Sequence, residues 1–325
     1  MQPTRRQVLL TAAAVTLAGP TLAQTKLAEQ ARIYVSFAVG GVLDLIARVM
    51  AEALRGSIAN NVIVENKSGA SGRLAVDALR QMPADGLTMM INGDGIQTVL
   101  PHTFKQLNYQ PFADIVPIGM TNRFEFAFAV GPKVPASVKT LKDYLAWVKG
   151  DADRAAFATP GAGTPLHFLP LLMGKDAGID MVPVHYRGSI ATFPDVMGGQ
   201  IPAVSAPLPD VLNQLGSGKV RLLATSGAQR NKLTPDVATY AQQGWPQLTS
   251  EAFYALYVHG KTPLEVQEQL SAAVRKALAQ PAVVAAFAKL YVEPALTTPA
   301  EVLKAARSNS LLWAETVKAV GYSPE

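Results

Sequence analysis

Between residues 33 and 95 short apolar runs alternate with amphipathic ones, and this alternation restricts the fold more than any other feature of the chain. Residues 33–37, 61–66 and 87–91 are rich in aliphatic or β-branched side chains, and each run ends at a turn-forming stretch. Between the first two, Leu43, Ile46, Ala47, Met50 and Leu54 recur at helical spacing, and residues 73–81 supply a second helical segment. Strand, helix, strand, helix, strand predicts an α/β chain with a parallel sheet and right-handed crossovers. Ligands of such sheets sit outside the carboxyl ends of the strands. The turns at 38–41, 67–72 and 92–95 share that edge, and Asn92 and Gly93 are the candidates from the third.

The first of these turns holds the pair Gly40-Gly41. Glycines let a backbone turn sharply and leave its N–H groups uncovered. A helix start adds unpaired N–H donors and a partial positive charge, which favour an anion. The turn is therefore either a carboxylate site or an ordinary strand-to-helix connection. Asp44 has two readings as well. At the third helical position it stabilises its own helix by ~0.3–1 kcal/mol, or it accepts from a ligand amine, hydroxyl or bridging water. Phe37 is core or pocket wall.

The second half of the sequence repeats the alternation, with strands at 125–130, 155–158, 181–186, 201–205 and 220–225 and helices at 141–149, 192–197 and 211–215. It carries a second glycine turn, Thr159-Pro160-Gly161-Ala162-Gly163-Thr164-Pro165-Leu166-His167. Pro165 suits a first helical position, whereas Pro170 predicts a helix that is short, kinked or late to start. Thr164 reads as a helix cap and a ligand donor together, and His167 as a structural residue or a ligand contact. If the two halves face each other, two helix starts point into one cleft, where backbone donors hold a carboxylate without lysine or arginine. The expected lobes are 24–124 with 226–325, and 125–225, and the chain first crosses between them near 123–126. Helices at 264–279, at 281–290 and from the capping-box spacing Thr298–Glu301 to about Val320 need a sheet to cover, which makes the first lobe discontinuous.

Composition narrows the function. A chain of 325 residues, 49% hydrophobic and 16% charged, is long enough for a compact two-domain protein. The net charge of +5 is mild and no basic cluster with interleaved aromatics occurs, so nucleic acid is not expected as a partner. Arg5-Arg6, the apolar stretch 8–18 and Thr21-Leu22-Ala23 form a leader with cleavage expected after Ala23, by the general or the twin-arginine export route. Its removal lowers the net charge from +5 to +3. The chain has no cysteine, which excludes disulfides, thiol nucleophiles and cysteine-ligated metals. His102, His167, His185 and His259 are scattered, no Gly-x-Ser-x-Gly elbow or dinucleotide fingerprint occurs, and Gly216-Ser217-Gly218-Lys219 lacks the rest of a phosphate loop. No metal, cofactor or enzymatic activity is expected.

Several motifs, in this order, carry a family resemblance. They are Phe37-Ala38-Val39-Gly40-Gly41-Val42-Leu43-Asp44, Val64-Glu65-Asn66-Lys67-Ser68-Gly69-Ala70-Ser71-Gly72, Pro83-Ala84-Asp85-Gly86-Leu87-Thr88, the turn Gly161–His167, Tyr186-Arg187-Gly188, and Asp195-Val196-Met197-Gly198-Gly199-Gln200. Over roughly 31–322 the chain resembles the solute receptors of tripartite tricarboxylate transporters, the Bug family. The resemblance implies a two-lobed periplasmic binding protein of the Venus-flytrap type, type II-like, each lobe a mainly parallel sheet flanked by helices. It implies a small organic carboxylate held between the lobes and delivered to integral-membrane permease subunits, by a monomer in the periplasm. It also implies that Phe37, Ala38, Val39, Gly40, Gly41 and Asp44, with Gly161, Ala162, Gly163, Thr164, His167 and Asp195, belong to the ligand site, His167 bracing its loop. Val39 stands where the family has proline or glycine, and His185 where it has proline. The Ala38-Val39 change is expected to enlarge or dry one wall. A sensor reporting the same kind of ligand to a membrane signalling protein would share this fold.

Overall fold

The computed structural model describes residues 27–322; the leader and its cleavage point lie outside the described residues. Strand β1 (Ala28–Val35) runs parallel to β2 (Ala59–Asn66) on one side and to β3 (Thr88–Gly93) on the other. The alternation of β1 divides its side chains between two cores, as a period of two requires. Ile33 and Val35 join Ile46, Met50 and Leu54 of α1 (Val42–Leu54) on one face. Tyr34 joins Ala75, Val76 and Leu79 of α2 (Arg73–Arg80) on the other. Two short helices follow β3, namely α3 (Gly95–Thr98) and α4 (Leu100–Thr103).

The strand β4 (Ile115–Val130) links the two sheets of the molecule. Residues 115–125 pair antiparallel with β9 (Glu251–His259), which in turn pairs antiparallel with β3. From Phe126 to Val130 the same strand pairs with β7 (Ala203–Pro207) and β8 (Arg221–Thr225). The sequence suggests a loop running into one strand and then a separate strand at 125–130, but β4 is continuous over 16 residues. Buried Thr121 and Asn122 interrupt its apolar pattern, and the register shifts beside them. The Thr121 hydroxyl is accommodated by donating to the Tyr254 carbonyl at 3.1 Å.

Around the second half of β4 lie α5 (Leu141–Val148), β5 (Ala156–Thr159), α6 (Pro165–Asp176), β6 (Val182–His185), α7 (Phe193–Met197) and α8 (Leu208–Leu215). Strand β5 runs parallel to both β6 and β7. Helix α6 departs from the sequence expectation: it starts at Pro165 and continues through Pro170 for 12 residues. An interior proline forfeits one backbone hydrogen bond. Most of this helix is buried, Leu166, Phe168, Leu169 and Met173 included, so packing offsets the loss.

Three helices close the chain. Helix α9 (Leu264–Leu278) packs on β4 and α1, α10 (Pro281–Lys289) touches both α9 and α1, and α11 (Pro299–Val320) packs on α3 and β4. The far end of α11 reaches α6, where Lys175 Nζ donates to the Ala319 carbonyl at 2.7 Å. Among the described residues no helix is long and apolar enough to cross a membrane, and no group of three or more histidine or acidic side chains is placed to hold a metal ion.

Candidate ligand cleft

The carboxyl ends of β1 and β3 meet the start of α6 and the α8 segment around a cavity of about 80 Å³. One water needs roughly 10–15 Å³ of such space, so the cavity has room for a small solute. Phe37, Ala38, Gly41, Val42 and Leu43 line it from the first turn.

Gly40 has φ +89°, the left-handed region that favours glycine. Its N–H donates to Asp44 Oδ2 at 3.0 Å. Asp44 also takes a forked pair of bonds from Arg48, both at 3.0 Å, and one from Asn66 Nδ2 at 2.9 Å. Burial pushes the Asp44 carboxyl up, but the bonds from Arg48, Gly40 and Asn66 outweigh it and hold it below its ordinary value. These partners come from the turn, from α1 and from the end of β2, so Asp44 fixes the turn's shape, and it does not line the cavity. Asn66 Nδ2 also reaches the Phe37 carbonyl at 3.0 Å. Val39 is 62% exposed, so the Ala38-Val39 departure acts on the cavity wall through Ala38 alone.

Asn92 and Gly93 reach the cavity from β3. The Asn92 side chain joins three segments: its Oδ1 accepts from Ser36 Oγ at 2.8 Å and from the Gly93 N–H at 2.9 Å, and its Nδ2 donates to the Gly72 carbonyl at 3.3 Å. A Cβ at Gly72 would lie 2.9 Å from that amide. The amide is thereby spent on holding the strand ends in register.

The second turn meets the first lobe directly. Ser71 Oγ donates to the Ala162 carbonyl at 2.6 Å. A Cβ at Gly161 would lie 2.9 Å from Ser71 Oγ, and one at Gly163 would lie 2.8 Å from Thr103 Oγ1. Gly163, at φ +69°, donates its N–H to His167 Nδ1 at 3.2 Å, which places the imidazole proton on Nε2. His167 is 5% exposed, and burial, then the charge of His185, lowers its pKa to about 4. It therefore braces the loop as a neutral acceptor. Thr164 occupies the cap position of α6 and lines the cavity. Its hydroxyl donates back to the Gly161 carbonyl at 2.9 Å and does not accept from the helix, so the side-chain capping read from the sequence is absent.

The structure thus brings Phe37, Ala38, Gly41, Asn92, Gly93 and Thr164 to one cavity. Gly40, Asp44, Gly161, Ala162, Gly163 and His167 shape and brace the two turns. Val39 faces solvent and Asp195, on α7, accepts from the Tyr186 hydroxyl away from the cavity. Burial, followed by that bond, pushes the Tyr186 phenol up to about 12.

Sequence reading missed the other side of the wall. Phe124, Phe126 and Tyr254 line it from the strands that join the sheets, with Phe124 and Tyr254 rings 4.3 Å apart. Asp94 and Asp210 line it too, 2% and 6% exposed, while among the described residues no lysine or arginine does. Asp94 Oδ2 accepts from Asn309 Nδ2 at 2.9 Å, and burial raises its carboxyl to about 6. Asp210 Oδ1 accepts the Val42 N–H at 2.9 Å, from a helix start 168 residues earlier. Asp94 was findable, since it adjoins Asn92 and Gly93 on the edge the strand pattern marks. Asp210 reads locally as an acidic residue in the first turn of its own helix, and nothing near it in sequence points to Val42.

The sequence pattern of the tripartite tricarboxylate transporter family receptor matches residues 46–322. Protein BugT of Bordetella pertussis (strain Tohama I) is 29% identical over 308 residues, covering 94% of this chain and 93% of that protein. A solved structure described as a periplasmic transporter superposes with a TM-score of 0.82 at 30% identity, covering 89% of this chain and 96% of the other. An R. palustris protein solved with adipate shares the fold at TM-score 0.85 and 23% identity, over 91% of this chain and 99% of its own. The match over residues 46–322 shows that the chain belongs to the tripartite tricarboxylate transporter receptor family.

Proposed function

We propose that the protein is a periplasmic receptor that captures a small organic acid between its lobes and delivers it to a tripartite tricarboxylate-type permease, without chemical turnover. The carrying observation is one cavity lined from both glycine turns, by Gly41 and by Thr164 at the start of α6, with no lysine or arginine in its wall among the described residues. In such a wall, helix-start N–H groups supply the positive field for a carboxylate. The adipate in the R. palustris neighbour supports the same ligand class. The lobes are 24–124 with 226–325, and 125–225. They open and close about the Glu125–Phe126 step of β4, where pairing passes from one sheet to the other, as hinge motions use a few residues at element ends.

The test is a thermal-shift screen of mono- and dicarboxylates on protein unfolded and refolded to strip bound solute. A ligand that binds only the folded state at 100 times its Kd adds about 2.7 kcal/mol of stability, so a hit raises the melting temperature by several degrees. Absence of any shift at millimolar concentration rejects the reading. Retrieval of permease subunits by the liganded protein from membranes is the expected partner result; retrieval of a sensor ectodomain instead assigns the receptor to signalling.

A further inference from the structure

The start of α1 already has an anion. Asp210, delivered from the opposite lobe by α8, places Oδ1 2.9 Å from the Val42 N–H. Ser189 lines the cavity beside it. Two features of the same wall point to what lies opposite. Asp94 is a second buried carboxylate whose partners are the neutral Asn309 and Thr98, and neither acid is paired with a basic side chain among the described residues. Tyr254 is 5% exposed and lines the cavity, and it lies in the field of both acids. Buried polar groups need hydrogen-bond partners, and buried charges need compensation. A wall with two buried acids is suited to receive donors. It is poorly suited to receive another carboxylate, because like charges disfavour one another at close range.

Resting on the receptor reading above, we propose that Asp210 is a built-in occupant of the α1 anion position, and that the ligand is an organic acid with a single carboxylate and, at its other end, an ammonium or hydroxyl donor facing Asp210, Asp94 and Tyr254. The single carboxylate goes to the α6 start, where Thr164 and Pro165 line the cavity. The aromatic side chains of Phe124 and Phe126 flank the ligand's apolar middle. Asp210 is then the residue that separates ω-amino and ω-hydroxy acids from dicarboxylates of equal length.

Calorimetric titration of refolded protein with two matched series tests this. One series is succinate, 4-aminobutanoate and 4-hydroxybutanoate; the other is adipate, 6-aminohexanoate and 6-hydroxyhexanoate. The wild-type protein is expected to bind an amino or hydroxy acid at least tenfold more tightly than the dicarboxylate of the same length. Asp210→Asn is expected to reduce that ratio at least tenfold, chiefly by improving dicarboxylate binding. A wild-type preference for the dicarboxylate overturns the inference and leaves the receptor reading standing, and so does an unchanged ratio in a folded Asp210→Asn protein. Absence of binding by any organic acid overturns both. The wild-type ratio is read without the variant, so a variant that fails to fold does not shield the inference.

Discussion

His167 and Asp94 pull the acid stability of the protein in opposite directions. Burial holds His167 neutral with a pKa of about 4, below its ordinary 6.5. The unfolded chain takes up this proton first, so the stability it contributes is present above about pH 6.5 and is lost as pH falls toward 4. Asp94 behaves in reverse: its folded pKa of about 6 exceeds the ordinary 3.8, so its contribution is present below about pH 3.8 and is lost as pH rises through 6. Each two-unit shift corresponds to on the order of 2–3 kcal/mol, so the two slopes cancel in part between about pH 4 and 6. Denaturant unfolding from pH 4 to 7 is expected to show a steeper acid loss in Asp94→Asn and a flattened or inverted one in His167→Gln. Parallel profiles for both variants and the parent would contradict the assignment. Protonation of His167 at Nδ1 also removes the acceptor for the Gly163 N–H, so the second turn loosens in the same pH range.

At the scale of elements, local rules and packing share control. The start of α11 follows local rules. Thr298 Oγ1 accepts the Glu301 N–H at 3.3 Å, and Glu301 Oε2 accepts the Thr298 N–H at 2.8 Å, the reciprocal arrangement of a capping box. Thr298→Ala is expected to lower unfolding stability by about 1 kcal/mol in urea, with Thr298→Ser restoring most of it; an unchanged midpoint would mean the cap contributes nothing. The middle of α6 follows packing, since its buried face carries the helix past Pro170. Where the strands cross between sheets, Ser226 adds side-chain bonds to its backbone ones. Its hydroxyl accepts the Phe126 N–H at 2.9 Å and donates to the Ser250 carbonyl at 2.6 Å, tying the outgoing strand to the returning chain.

Over the whole molecule, the two halves meet at the cavity through glycine turns and few side chains, and away from it through contacts such as that of α11 with α6. The bonds from Ser71 to Ala162 and from Val42 to Asp210, with the close approach of Gly163 to Thr103, describe a closed cleft. A chain without cysteine lets one introduced pair report closure. In the doubly substituted protein Ser71→Cys, Ala162→Cys, disulfide formation is expected to accelerate when an organic acid from the screen is present, and the oxidised protein is expected to release that acid more slowly. Equal oxidation rates with and without the acid would show that ligand does not bias closure.

Taken alone, the amino-acid sequence determined the α/β alternation, the two glycine turns and the family, because each is written in local spacing: aliphatic periodicity, glycines between a strand and a helix, and motifs in fixed order. Of the residues it singled out, Phe37, Ala38, Gly41, Asn92, Gly93 and Thr164 line one cavity. Tertiary structure decided what faces the cavity. The Asp44 carboxyl is drawn inward by Arg48 and Asn66, Val39 points to solvent, and Asp210 crosses from the other lobe to the helix start that the turn prepares. The physical reason is range. A turn's backbone is set by its own few residues, whereas the partner of a buried charge is set by whichever distant segment the fold brings within about 3 Å, and nothing in the spacing around Val42 or Asp210 encodes that meeting.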